Sequence, residues 1–304
     1  MSEGATKRAP IDPETARRVA ALTLEIQRAA LGLLSGKHRS PHRGASVVFV
    51  EHREYRPGDD PRLIDWRAYA RNDRHAIKRF EQEAQLGCVL MLDASRSMDF
   101  GEPGGRTKLE QAAALLAGIA LVLRRQADAV GIVRFASETE RTLPMRASIA
   151  HVDRVLAALA LPASAASGTN LGGALARTAE RESRRGLVVI ASDLLDAAPD
   201  ALAPIARLVA HGHEVWVLQV LTPDELELRG EGAARFVGLE GERAVEADPS
   251  AVRARYRAEI DAFVARSRSA AMTRGAHHLL VRTDQPVEGV LAELLLRGRR
   301  SRWA

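Results

Sequence analysis

The sequence predicts an α/β fold: a doubly wound, mostly parallel sheet, preceded by an N-terminal helix and a charged β/α segment. Three observations predict it. Short apolar runs bounded by turn signals recur at Cys88–Leu92, Ala129–Phe135, Leu187–Ala191, Val215–Leu221 and His278–Val281. Such unbroken runs suit strands buried on both faces of a parallel sheet. Helical patterns lie between the runs, and that alternation is the mark of a doubly wound sheet. Finally, 46% of the 304 residues are hydrophobic and 27% charged, yet aromatics make up only 4%. A sizeable core is therefore expected, built from Ala, Leu, Val and Ile.

Residues 1–11 are expected to lack structure. From Asp12-Pro13 an amphipathic helix runs to about Ser35, with Val19, Leu22, Ile26 and Leu33 on its apolar face, and Gly36 stops it. A basic loop follows at residues 37–44. Val47–Tyr55 reads as a strand and Arg56-Pro57-Gly58-Asp59 as a turn. Asp60 before Pro61 opens a short helix through Trp66 and Tyr69. Between Glu51 and Glu83 about eight basic residues face about eight acidic ones, a balance of ion pairs rather than a phosphate-binding patch. Residues 12–85 are thus expected to pack as a unit on a main domain spanning 86–297, with 298–304 as a basic tail.

Within the main domain, Thr107-Lys-Leu-Glu110 is a capping box opening an Ala/Leu-rich helix to about Gln126. Ile149–Leu161, Asn170–Arg184, Pro199–Ala210, Ser250–Thr273 and Val287–Leu296 read as further helices. Thr139–Met145 fits an edge hairpin strand, and residues 222–248 a small β excursion.

Several function classes are disfavoured. Lys plus Arg is 44 against 39 for Asp plus Glu, a dispersed excess of +5 that does not make a nucleic-acid surface. No apolar stretch reaches the roughly 20 residues that span a bilayer. Cys88 is the single cysteine and sits in an apolar run, as expected of a buried, inert thiol. The N-terminus has no apolar signal core, and a cytoplasmic protein is expected.

Ligands of doubly wound sheets bind beyond the C-terminal strand ends, and three polar clusters fall there. Asp93-Ala-Ser95-Arg-Ser97 follows the first core strand. Ser167-Gly-Thr169-Asn precedes a helix. Ser192-Asp193 follows the Leu187–Ala191 strand. Asp93, Ser95, Ser97, Thr169 and Asp193 offer two carboxylates and three hydroxyls, with no His or Cys in the set. An all-oxygen inventory suits a hard cation, Mg²⁺ or Mn²⁺, in octahedral geometry. Five protein groups leave one position open, which an Asp or Glu of a partner protein would fill. The competing account makes the aspartates helix caps and the hydroxyls turn residues.

The order Asp-x-Ser-x-Ser, Thr, Asp resembles the metal-ion-dependent adhesion site of von Willebrand factor A domains. The resemblance assigns Asp93, Ser95, Ser97, Thr169 and Asp193 to that site position by position. It implies that the hydroxyls bind metal largely directly and the aspartates often through water. The segment Glu51-His-Arg53-Glu54-Tyr55-Arg-Pro57-Gly58-Asp59-Asp60-Pro-Arg62-Leu-Ile64-Asp65-Trp66, with Ala70-Arg71, resembles the hallmark of a bacterial family catalogued as domain of unknown function fifty-eight. Its members join this segment to an A-type domain carrying Asp-x-Ser-x-Ser-Met, here Asp93 to Met98. The likeness is good over residues 36–220 and looser elsewhere. It implies a chaperone-like or assembly partnership with a MoxR-type AAA+ ATPase, because family members are often encoded beside such ATPases. In the signature segment, Tyr55, Trp66 and Tyr69 are expected to pack, and Arg53, Arg62 and Asp65 to form internal ion pairs.

Other signals lead elsewhere. Gly101-Glu-Pro-Gly-Gly105-Arg-Thr107 lacks the first glycine and the lysine of a phosphate loop, and reads as a flexible loop near the site. His211-x-His213 and His277-His278 lack the further N or S ligands of a zinc site. No Gly-x-Ser-x-Gly elbow exists, and no histidine base lies near Ser95 or Ser97 in sequence. A non-enzymatic, metal-dependent protein-interaction module is therefore expected. The alternative is a metal-dependent hydrolase such as a phosphoesterase, with Asp99 and Asp196 as spare carboxylates.

Overall fold

The computed structural model describes residues 11–17, 47–54, 76–82, 87–165, 168–182, 185–195, 200–237 and 244–301. The chain divides into two compact units, Met1–Ile26 with Leu86–Ala304, and Gln27–Gln85.

Described within the smaller unit is an antiparallel hairpin, β1 (Val47–Glu54) and β2 (Ala76–Gln82). Its register runs from Val47 opposite Gln82 to Glu54 opposite Ala76, with an irregularity between Phe49 and Glu51. β1 agrees with the expected strand as far as Glu54, with Tyr55 outside the described residues, and β2 was not anticipated. The expected turn at 56–59, the helix carrying Trp66 and Tyr69, and residues 18–46 lie outside the described residues.

In the larger unit, residues 13–17 are helical and Ile11 is buried in the core. A six-stranded sheet follows, in the order β10-β7-β6-β3-β4-β5. The strands are β3 (Gly87–Asp93), β4 (Ala129–Phe135), β5 (Thr139–Arg146), β6 (Gly186–Ser192), β7 (Glu214–Leu221) and β10 (His277–Arg282). All neighbours are parallel except β4 and β5, which form the expected edge hairpin. The chain winds outward from β3 in one direction and then returns to lay β6 on its other side. The β3/β6 boundary is thus the switch point, where such folds open a crevice beyond the strand ends.

The strand interiors alternate between two cores. Cys88, Leu90 and Leu92 of β3 face helices α1 (Lys108–Arg125), α2 (Ile149–Leu159) and α7 (Val287–Ser301). Val89 and Met91 face α3 (Leu171–Arg181), α4 (Ile205–Ala210) and the end of α6 (Pro249–Thr273). Cys88 is fully buried, and desolvation pushes its thiol pKa up, which keeps it unreactive.

Thr107 and Glu110 form the predicted capping box of α1. α4 begins at Ile205, later than the expected Pro199, because residues 201–204 form turns. The β excursion is the short pair β8 (Ala234–Phe236) and β9 (Val245–Ala247). It is preceded by a helix the sequence reading missed, α5 (Pro223–Glu227). A second capping box opens that helix, made by Thr222 and Glu225 with proline at its start. Among the described residues no helix is long and apolar enough to cross a membrane.

Candidate metal centre

The β3 strand delivers Asp93 to the sheet's C-terminal edge, and the chain turns there. Ala94 N–H donates to Phe135 O at the end of β4 (2.7 Å), and Ser95 N–H to Asp93 Oδ1 (3.0 Å). Arg96–Asp99 then forms one 3-10 turn with Met98 buried beneath it. That anchor fixes Ser95 and Ser97 side by side, their hydroxyls 3.2 Å apart.

The loop bearing Thr169 is tied down separately. Ser164 N–H donates to Ala94 O (2.7 Å), and Asn170 N–H to Ala136 O beyond β4 (2.8 Å). Arg134 of β4 is 1% exposed and donates to Leu161 O (3.0 Å) and to Pro162 O, while its Nε pairs with Glu140 Oε2 at 2.9 Å. Thr169 Oγ1 thereby reaches Asp93 Oδ2 at 3.2 Å. From β6, Ser192 Oγ donates to the same Asp93 oxygen at 2.6 Å and accepts from Leu194 N–H.

The structure therefore joins Asp93, Ser95, Ser97 and Thr169 through short polar contacts. Asp193 stands beside them on the β6 end but faces other partners. Its Oδ1 accepts from Leu195 N–H at 3.1 Å, and its Oδ2 receives the Lys108 ammonium at 2.7 Å. Lys108 also pairs with Glu225 Oε1 at 2.6 Å, and the Phe100 ring lies 5.9 Å from its nitrogen. Ser167 of the second cluster, and Asp196, a spare carboxylate of the hydrolase alternative, lie outside the described residues.

Electrostatics mark this edge as unusual. Asp93 and Asp193 are both wholly buried. Burial first, and then the charge of Asp193, push the Asp93 carboxyl up to about 6, against the pull of hydrogen bonds from Ser192 and Ser95. Burial opposes the charge on Lys108, but the Asp193 and Glu225 carboxylates outweigh it and hold its pKa above the ordinary lysine value.

The donors fit a hard cation. Among the described residues no three His, Cys, Asp or Glu side chains converge as a metal-holding group, so any ion here would rest on hydroxyls as well as carboxylates. Thr169 supplies such a group in suitable form, because a hydroxyl that gives its proton to Asp93 keeps lone pairs for a cation.

Ser192, Lys108 and Glu225 were not singled out from sequence. Ser192 stood in a named cluster, but only the strand end shows its bond to Asp93. In the sequence Lys108 stands inside a capping box, and its carboxylate partners lie 85 and 117 residues away. The set-aside histidines have ordinary roles: His277 stacks on Trp216, and His278 bonds Gln219 Oε1. The Gly101–Arg106 loop closes on itself, with Gly101 bridged to Thr107.

The family model for the protein of unknown function DUF58 matches residues 51–269. The chain belongs to the DUF58 family. A similar relative is the uncharacterized protein Rv1480 of Mycobacterium tuberculosis, 31% identical over 219 residues, covering 71% of this chain and 68% of its own. Among solved structures, the conserved hypothetical protein BatB of Bacteroides thetaiotaomicron is 16% identical with a TM-score of 0.44. That likeness covers 71% of this chain and 99% of BatB. The SpRpn10 VWA domain is 11% identical with a TM-score of 0.38, covering 68% of this chain and 94% of its own. The DUF58 chain has the α/β, mostly parallel class of fold expected from its sequence, a sheet wound outward from β3 with one antiparallel edge strand.

Proposed function

We propose that this chain is a non-enzymatic, cytoplasmic interaction module. In this reading it holds one Mg²⁺ or Mn²⁺ ion through Asp93, Ser95, Ser97, Thr169 and Asp193. The observation that carries the reading is the pair of wholly buried carboxylates beside three hydroxyls at the switch point of the sheet. The charge of Asp193 adds to the cost of ionising buried Asp93, and a divalent cation held by both would relieve it. Five protein groups leave an octahedral ion one position for a partner's Asp or Glu, and exposed Phe100 and Leu195 border the same edge as apolar contacts. A MoxR-type AAA+ ATPase is the first candidate partner, on the family resemblance. The hydrolase alternative needs a base beside the metal, a role for which Asp99 and Asp196 are the candidates in the sequence.

Titration calorimetry of the full chain with Mn²⁺ tests the reading. Wild type should bind one ion and the Asp93→Ala/Asp193→Ala variant none. Identical binding by the two proteins removes the assignment. A pull-down with the candidate ATPase, with and without EDTA, then tests docking: capture that survives EDTA, Ser97→Ala and Thr169→Ala, with folding intact, separates the partner surface from the metal.

A further inference from the structure

We propose that Lys108 is the resident counter-cation of this centre: it neutralises Asp193 while no divalent ion is bound, and so sets how tightly one enters. The inference rests on the metal reading above and extends it to residues outside the five.

Lys108 is placed where a lysine is costly. It is the first residue of α1, where the helix dipole disfavours positive charge. It is also wholly buried, and an unpaired buried ammonium is strongly disfavoured. Both costs are met by two carboxylates, Asp193 at 2.7 Å and Glu225 at 2.6 Å. Those two are not equivalent. Asp193 belongs to the proposed metal set and is itself buried. Glu225 stands on α5, is partly open to water, and is held from behind because its Oε2 accepts from Thr222 N–H at 2.8 Å. Glu225 is therefore a fixed mooring that keeps the ammonium in place, and Asp193 is the partner for which Lys108 and a metal ion compete.

The arrangement has a direct consequence. Without metal, Lys108 offsets one of the two buried carboxylates, so the chain need not depend on an ion to fold. When an ion binds, the Lys108 charge repels it and holds one oxygen of Asp193. The affinity is thus lower than the five ligands alone would give. Glu225 works in the opposite sense, since it draws part of the lysine's charge away from Asp193.

The test is Mn²⁺ calorimetry and thermal unfolding of the full chain as wild type, Lys108→Met and Glu225→Gln. Lys108→Met should bind Mn²⁺ more tightly, by on the order of ten- to hundredfold. Its melting point in EDTA should fall by on the order of 10 °C, with more of the loss recovered on adding Mn²⁺ than wild type gains. Glu225→Gln should bind Mn²⁺ several-fold more weakly. Opposite shifts are the signature, because simple damage to the site weakens binding in both variants. If Lys108→Met does not fold even with Mn²⁺, Glu225→Gln decides: weaker binding supports the inference and unchanged affinity overturns it. Unchanged affinity in both variants, or shifts of the same sign, overturns this inference while leaving the metal site standing. Absence of Mn²⁺ binding in all three proteins overturns both.

Discussion

Replacing Arg134 tests how the Thr169 loop is held. The side chain is 1% exposed and spans from β4 to the loop, giving its Nε to Glu140 and its two terminal nitrogens to Leu161 O and Pro162 O. Methionine keeps much of the volume and removes all three bonds. Glu140 is 30% exposed, so water takes over its solvation and the lost pair costs about 1 kcal/mol. Leu161 is half-buried and Pro162 exposed, so each orphaned carbonyl costs about 1 kcal/mol, the low end for such groups. The sum is about 3 kcal/mol, or a fall in melting temperature of about 6–12 °C for a unit of this size. Because Ser164 and Asn170 still fasten the loop through Ala94 and Ala136, Mn²⁺ affinity should drop by about tenfold rather than vanish. Arg134→Lys retains the charge beside Glu140 but not the planar fork, and should lose roughly half as much. Circular dichroism melts in EDTA, followed by Mn²⁺ calorimetry, make the measurement. A melting point for Arg134→Met within about 2 °C of wild type would refute the clamp.

Two further outcomes follow from Asp93. Its folded-state pKa, about 6, lies above the ordinary value of 3.8. The folded, metal-free protein therefore takes up a proton more readily than the unfolded chain. Stability from this group rises as pH falls from above 6 towards 4, while Mn²⁺ affinity, which needs the ionised carboxylate, falls by about tenfold per pH unit below 6. Calorimetry from pH 5 to 7.5 checks the slope, and a flat profile contradicts it. Ser192→Ala removes the 2.6 Å bond to Asp93 and leaves Leu194 N–H without its acceptor. It should cost about 1–3 kcal/mol in EDTA and about tenfold in Mn²⁺ affinity, and an unchanged affinity would show that Asp93 needs no such support.

The sheet was legible because each core strand carries its own local signal. Cys88–Leu92 and its counterparts are apolar on both faces, and that pattern has no use outside a covered sheet. Asp93, Ser95 and Ser97 were legible for the same reason, being adjacent in sequence at the end of such a strand. α5 carried a signal that went unread: Thr222-Pro-Asp-Glu225 is a capping box with proline at its first position, overshadowed by the β-like text around it. β2 carried almost none, since Ala76–Gln82 mixes charged and apolar residues without clean alternation.

Lys108 shows a different kind of limit. Its local sequence is complete without it, because Thr107 and Glu110 close their capping box whatever stands between them. What distinguishes it is burial against carboxylates brought in by β6 and α5, and no window of sequence contains those partners together. Charge at such a site is a property of the folded edge as a whole. Two carboxylates from the proposed metal set, a third from α5 and one ammonium leave a net charge of about −2, with Asp93 partly relieved by protonation below pH 6. A divalent cation matches that residue of charge. The five-ligand reading from sequence names the proposed donors, whereas the lysine and glutamate proposed to set the strength of binding stand outside the motif.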